Sequence, residues 1–171
     1  MVDSGFVIQK LQDLVKINSV NPFLEPSGKG EREIGTYIHN CLLSLGFDSE
    51  VFNLGNNQVN VIGRWRGTGN GKTLAMNAHV DTVGIEGMTE PFVGRIEGNQ
   101  LFGRGAYDMK GSIAAMLGVA KEFATNKPSI SGDLILTFVA DEEYESVGTQ
   151  ELLKNFKADA CIVTEPTDLK I

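Results

Sequence analysis

The chain has 171 residues, 42% of them hydrophobic and 22% charged, a mix that suits one packed domain and excludes a disordered segment or a long coiled coil. Its 15 lysines and arginines stand against 22 aspartates and glutamates, and the formal charge of -7 excludes a surface built for nucleic acid, which needs clustered cations. The start lacks a basic flank before a long apolar run and no later stretch is long enough to span a bilayer, so a cytoplasmic location is expected, without membrane or nucleic-acid partners.

In FVIQKLQDLVKI, Val7, Leu11, Leu14 and Val15 recur at helical spacing and predict an amphipathic helix. The next stretch, NSVNPFLEPSGKGERE, holds two prolines and two glycines and predicts a turn-rich connection over the surface, with the mixed-sign run from Lys29 to Glu33 as a solvated face. Ile34, Ile38, Cys41, Leu42 and Leu45 then form a second helical stripe, and Gly46 sits where that helix would stop. VNVIGRW and TLAMNAH read as strands, and the Gly-rich RGTGNGK between them predicts a hairpin. From residue 73 the rhythm is strand TLAMNA, helix SIAAMLGVAKEFA, strand DLILTFVA, helix VGTQELLKNF and strand ACIVT. Alternation of this kind, with nearly unbroken apolar strands buried on both faces, predicts an α/β fold: a mostly parallel sheet with helices on both faces. Cys41 and Cys161 lie far apart inside apolar patterns and are expected in the core, unbridged.

Sites in open parallel sheets form beyond the carboxyl ends of the strands. Here TLAMNA runs into His79 and Asp81, DLILTFVA into Asp141, Glu142 and Glu143, and ACIVT into Glu165. Two glycine-rich stretches compete for attention. RGTGNGKT has Arg66 where a phosphate loop needs its leading glycine, and it precedes a strand instead of opening a helix. GRGAYDMKG begins like GxGxxG, but Asp108 stands at the third glycine position and would repel a pyrophosphate. Taken singly, Asp108 reads as a helix-capping acid and DEEYE as a hydrated loop opening a helix. His39 reads as a structural histidine and Trp65 as a structural aromatic.

Convergence changes that reading. His79, Asp81, Asp108, Glu142, Glu143 and Glu165 are all predicted near one sheet edge, where so many carboxylates repel one another unless a cation joins them. Nitrogen with carboxylate oxygens suits Zn²⁺, with Mn²⁺ or Co²⁺ possible. Asp81, two residues beyond His79 on an extended strand, shares its face and can hold the imidazole. Adjacent Glu142 and Glu143 point different ways, so one can bind metal while the other faces the metal's water.

AHVDTV, PFVGRIEGNQLFGRGAYDMKG, VADEEYESVGTQ and TEPT cover most of residues 73 to 167. In order and spacing they resemble the acetylornithine deacetylase, succinyl-diaminopimelate desuccinylase and aminoacylase family of co-catalytic zinc peptidases and amidohydrolases. The resemblance implies zinc-dependent hydrolysis of an amide bond in an N-acyl amino acid or small peptide. His79 would bind one metal, Asp108 would bridge two, Glu143 would bind the second and Glu165 would complete the first. Asp81 would orient His79. Glu142 would be the general base, taking a proton from the bridging water and handing it to the leaving amine. A cis peptide between Asp108 and Met109 is implied as well.

The family's last ligand, a histidine near its C-terminus, has no counterpart here, nor has its inserted dimerisation domain. The expectation is therefore that residues 1–171 are the N-terminal portion of such a catalytic domain. It would hold a full first site but only Asp108 and Glu143 for the second, and form homo-oligomers. The alternative is a metal-binding chain without turnover.

Overall fold

Asp3 opens the first helix by accepting the backbone N–H of Phe6 on its side chain at 3.0 Å, satisfying one of the donors that a helix start leaves free. The computed structural model describes residues 2–167. Helix α1 (Ser4–Lys16) buries Leu14 and Val15. Helix α2 (Arg32–Ser44) buries Ile34, Gly35, Ile38 and Leu42, and the chain leaves it through Gly46 at φ 80°, the left-handed stop that glycine adopts without strain. Both stripes lie as their spacing predicts.

Strands β1 (Asp48–Gly55) and β2 (Gln58–Trp65) form an antiparallel hairpin. Its turn is Asn56–Asn57, both at positive φ, the conformation a two-residue hairpin favours. Strand β3 (Leu74–His79) follows, then the short hairpin of β4 (Arg95–Glu97) and β5 (Gln100–Phe102). A kinked turn (Ala106–Lys110), in which Asp108 and Met109 leave helical geometry, leads into helix α3 (Gly111–Asn126). Strand β6 (Leu134–Val139), helix α4 (Val147–Asn155) and strand β7 (Ala160–Val163) complete the β-α-β-α-β order.

The five-stranded sheet runs β1-β2-β6-β3-β7. Strand β6 is parallel to β3 and antiparallel to β2, and β7 is parallel to β3. The fold is α/β as expected, with a mixed sheet whose parallel part carries the site. The expected hairpin between β2 and β3 does not form. All six residues of β6 are buried, and this strand takes the central place between them. The glycine-rich linker instead follows the segment before β6: Thr68 donates its N–H to the Ile130 carbonyl at 2.8 Å, and Gly71 to that of Ser131 at 3.1 Å.

Helices cover both faces. On one face α2 packs against β2 so closely that a Cβ on Gly63 would lie 2.7 Å from Leu42. On the other, Asn60 donates its side-chain amide to the Gly148 carbonyl of α4 at 2.8 Å. The core joins Leu14, Ile38, Leu42, Ile113, Leu117, Leu136 and Phe138, each contributing about 1.5 to 3 kcal/mol on leaving water. Trp65 packs on Phe47 and Phe123, with ring centroids 5.3 and 5.7 Å away, and is structural. His39 is structural too, its Nδ1 lying 2.9 Å from Ser49 Oγ. Cys41 is half-buried and free. Cys161 is free and exposed, contrary to the expected core placement, because β7 is an edge strand with every residue exposed. Among the described residues no helix is long and apolar enough to cross a membrane.

Candidate metal centre

Strands β3 and β6 finish in register, His79 opposite Val139, so Asp81 and the segment from Asp141 to Glu143 emerge side by side. Strand β7 pairs with the other side of β3, and Thr164 binds the Asn77 carbonyl through its N–H at 3.1 Å, which brings Glu165 alongside His79. Asp108 arrives from the kinked turn before α3. That turn enters through Gly105 at φ 75°, where a Cβ would meet Thr82 at 2.6 Å. The Asp108–Met109 peptide is cis, as the family resemblance implies. Met109 is wholly buried, and its sulfur accepts the His79 backbone N–H at 3.2 Å. Lys110, also buried, donates to the Ile17 carbonyl at 2.8 Å and ties the turn to the end of α1. Burial, aided by the charge of Arg104, pushes the Lys110 ammonium down to about 7.

Three carboxylates face one imidazole nitrogen. His79 Nε2 lies 3.1 Å from Asp108 Oδ1, 3.7 Å from Glu165 Oε1 and 3.9 Å from Glu142 Oε2. Asp108 is thus turned into the cluster and caps no helix: α3 has no side-chain cap. The ligating atoms of His79, Asp108 and Glu165 all lie within 4.8 Å of one another. The His79 ring is 1% exposed while the Asp108 carboxylate is 51% exposed, so the cluster is anchored from below and open above. Glu143 stands outside that trio. Its carboxyl is pushed up by burial and by the charges of Asp108, Asp81 and Glu142, with His79 opposing. Burial raises Glu165 similarly, with Asp108 and Glu142 adding to it. Burial pulls His79 down, but the hydrogen bond and charge of Asp81, with Glu165 and Asp108, more than offset it and raise the imidazole to about 9. Crowded acids around a cation-seeking nitrogen are the donor set that Zn²⁺ and its neighbours take.

Behind the cluster, His79 Nδ1 lies 3.0 Å from the Asp81 carbonyl oxygen and 3.4 Å from Asp81 Oδ1. Asp81 therefore meets the ring as its position two residues on predicts, but more closely through its backbone. Its carboxylate is engaged elsewhere: Oδ1 accepts the Glu142 N–H at 3.0 Å and Oδ2 the Glu143 N–H at 3.2 Å. Burial works against its charge, yet bonds from His79, Asn21 and Glu142 hold it below the usual carboxylate range.

Two residues of this inner layer escaped the sequence reading. Asn21 donates its amide to Asp81 Oδ2 at 2.9 Å and to Asp141 Oδ1 at 2.8 Å, joining two buried acids. The loop that carries it is not wholly superficial, since Ser19, Val20 and Asn21 are buried. Glu31, expected on a solvated face, is buried completely. Desolvation, with the negative charges of Asp81 and Asp141, raises its carboxyl to about 8. Asp141 itself serves the loop, its Oδ2 accepting the N–H groups of Glu145 and Val147 at 3.2 and 3.3 Å.

The fold has known counterparts. Residues 75–171, more than half of the chain, match peptidase family M20/M25/M40, and the chain belongs to that family. Similar solved structures include the dipeptidase Dug1p from Saccharomyces cerevisiae, at 22% identity and TM-score 0.78 over 95% of this chain and 38% of that one. Human carnosine dipeptidase 1 shares 19% identity at TM-score 0.77, over 94% of this chain and 38% of that one. An M20 family metallo-carboxypeptidase from Sulfolobus solfataricus shares 24% at TM-score 0.74, over 92% and 36%. At these identities the likeness is one of fold, and the chain spans little more than a third of each relative's length.

Proposed function

We propose that this chain carries the catalytic face of a metal-dependent amidohydrolase acting on an N-acyl amino acid or a small peptide, as the acetylornithine deacetylase, desuccinylase and aminoacylase members of the family do. The observation that carries the reading is the approach of Asp108, Glu165 and Glu142 to one nitrogen of His79. His79, Asp108 and Glu165 would hold the first zinc ion, three protein ligands being the usual complement of a catalytic zinc. Asp108 and Glu143 would contribute to a second. Metal held by these residues would supply Lewis acidity toward the scissile carbonyl and toward water. Glu142, half-exposed at the mouth of the cluster, would take the proton from water and deliver it to the leaving amine. Asp81 orients His79 and holds the backbone of Glu142 and Glu143.

The test begins with protein stripped by a chelator, reloaded with Zn²⁺, Co²⁺ or Mn²⁺, and assayed on a panel of dipeptides and N-acyl amino acids. Hydrolysis that vanishes on stripping and returns with one of these metals is the expected result. Metal bound at His79 without turnover of any panel member favours a binding role instead, and no metal bound rejects both.

A further inference from the structure

Asp81 and Asp141, the two buried acids behind the cluster, follow neighbouring strands and meet on one residue, Asn21, which has no exposed surface. Its side chain is used in full. Nδ2 donates to Asp81 Oδ2 at 2.9 Å and to Asp141 Oδ1 at 2.8 Å, while Oδ1 accepts the backbone N–H of Phe23 at 3.0 Å. Two donors on one atom and an acceptor on the other match two carboxylates beside a backbone N–H, and an aspartate or leucine of similar size offers no donor.

The turn that carries Asn21 is itself held firmly. Its N–H donates to the Thr82 carbonyl at 2.9 Å, which fixes it to the chain just past Asp81, and its own carbonyl accepts the N–H groups of Leu24 and Glu25, both at 3.1 Å. Pro22 presets the backbone between Asn21 and Phe23, and an asparagine that bonds the N–H two residues on closes the turn. The same turn then reaches the far segment a second time, from outside. The Phe23 ring stacks on that of Tyr144, with centroids 5.6 Å apart and planes at 6°, both rings half-exposed. Stacking of this kind is attractive beyond the area it covers.

The residues from Asp141 to Tyr144 are therefore gripped at both ends, by a buried amide on the first and an aromatic ring on the last. Glu142 and Glu143 lie between the two grips, with their backbone N–H groups on Asp81. We propose that the Asn21–Phe23 turn is a positioning clamp that fixes the segment bearing Glu142 and Glu143 against the strand end bearing His79. What the clamp serves rests on the metal-site reading above. Asn21 and Phe23 touch none of the cluster's three nearest groups; they act through Asp81, Asp141 and Tyr144.

The experiment compares the unaltered protein with Asn21→Ala and Phe23→Ala, by amide hydrogen exchange in the metal-free state followed by NMR and by Co²⁺ affinity from visible absorbance. In Asn21→Ala the amides of Glu142 and Glu143 are expected to exchange about 10-fold faster relative to those of Leu136 and Phe138 in β6, and Co²⁺ to bind about 10-fold more weakly. Phe23→Ala keeps the backbone N–H that Asn21 accepts and is expected to move both readouts the same way, by about 3-fold. A role in overall stability alone would raise exchange in the segment and in β6 together, and this result overturns the proposal. Faster exchange in the segment with unchanged Co²⁺ affinity overturns it too, since the grip would then not serve the cluster. If Asn21→Ala does not fold, Phe23→Ala decides, and unchanged exchange of Glu142 and Glu143 there overturns the clamp. Failure of the unaltered protein to bind Co²⁺ rejects the metal-site reading, while the exchange ratio still decides whether the turn holds the segment.

Discussion

The carboxylate of Asp81 accepts the backbone N–H of Glu142 at 3.0 Å, which ties the strand end bearing His79 to the segment bearing the neighbouring acids. Asp81→Asn presents an amide donor where two acceptors are needed, because Asn21 and the N–H groups of Glu142 and Glu143 all point there. Metal affinity is expected to fall about 10- to 100-fold while the fold survives. Competition against a chelator of known affinity, with circular dichroism as the control, checks this. Unchanged affinity removes Asp81 from its positioning role.

Glu142 and His79 should separate cleanly in metal analysis. Glu142→Gln removes the group assigned to proton transfer and is expected to lower turnover by about 10²- to 10⁴-fold with metal content intact. His79→Ala removes the only nitrogen of the trio and is expected to empty that site. Elemental analysis of the purified variants distinguishes them. Metal lost from Glu142→Gln, or kept by His79→Ala, contradicts the assigned roles.

Gly148 marks the closest approach of α4 to the end of β6. A Cβ there would sit 2.5 Å from the Ala140 nitrogen and 2.6 Å from Asn60 Oδ1, and backbone cannot move aside as a flexible side chain can. Gly148→Ala is expected to cost about 1 to 3 kcal/mol, the usual penalty of overpacking. A urea titration measures it, and a change within error shows that the loop before α4 yields.

The buried Glu31 sets a pH dependence. Burial and the charges of Asp81 and Asp141 raise its carboxyl from 4.5 to about 8 on folding, so within that window the folded chain holds a proton that the unfolded chain has lost. Its contribution to stability is complete below the unfolded value and is lost as pH rises through the folded one. Glu31→Gln has no proton to lose. The stability of Glu31→Gln relative to the unaltered, metal-free protein should therefore grow across the window, by an amount on the order of a few kcal/mol, and level off above it. Lys110 and His79 titrate in both proteins and cancel in the difference. A flat difference shows that Glu31 finds compensation for its charge.

The parts of this protein that local pattern governs were readable in advance, and those governed by distant pairing were not. The stripes of α1 and α2 and the apolar runs of β3 and β6 carry their own periodicity. Strand β1 does not. Six of its eight residues are exposed, so it lacks an apolar face, and the signal that remained was the Asn56–Asn57 turn after it. The partner of β2 was misjudged because nothing local reveals that β6 enters between β2 and β3. At the centre, strand ends pointed to His79 and Glu165, and convergence on the same sheet edge added Asp108. Asn21 and Glu31 lie in a segment of turns and mixed charge, and their partners are brought to them only by tertiary packing. Asn21 reaches acids 60 and 120 residues away.

Thr164 binds the carbonyl of Asn77 twice, through its N–H at 3.1 Å and its hydroxyl at 3.0 Å, across 87 residues of chain. Glu165 reaches His79 only after that parallel pairing has closed, and closing so long a loop is slow and entropically costly. A cation held by His79, Asp108 and Glu165 would require β7 docked on β3, because Glu165 follows that strand. By mass action such a cation would favour the form with β7 docked. The single tryptophan, Trp65, lies away from these strand ends, packed between Phe47 and Phe123. Its fluorescence would report the aromatic cluster and bound Co²⁺ the docking of β7, two separate readouts at opposite ends of one sheet.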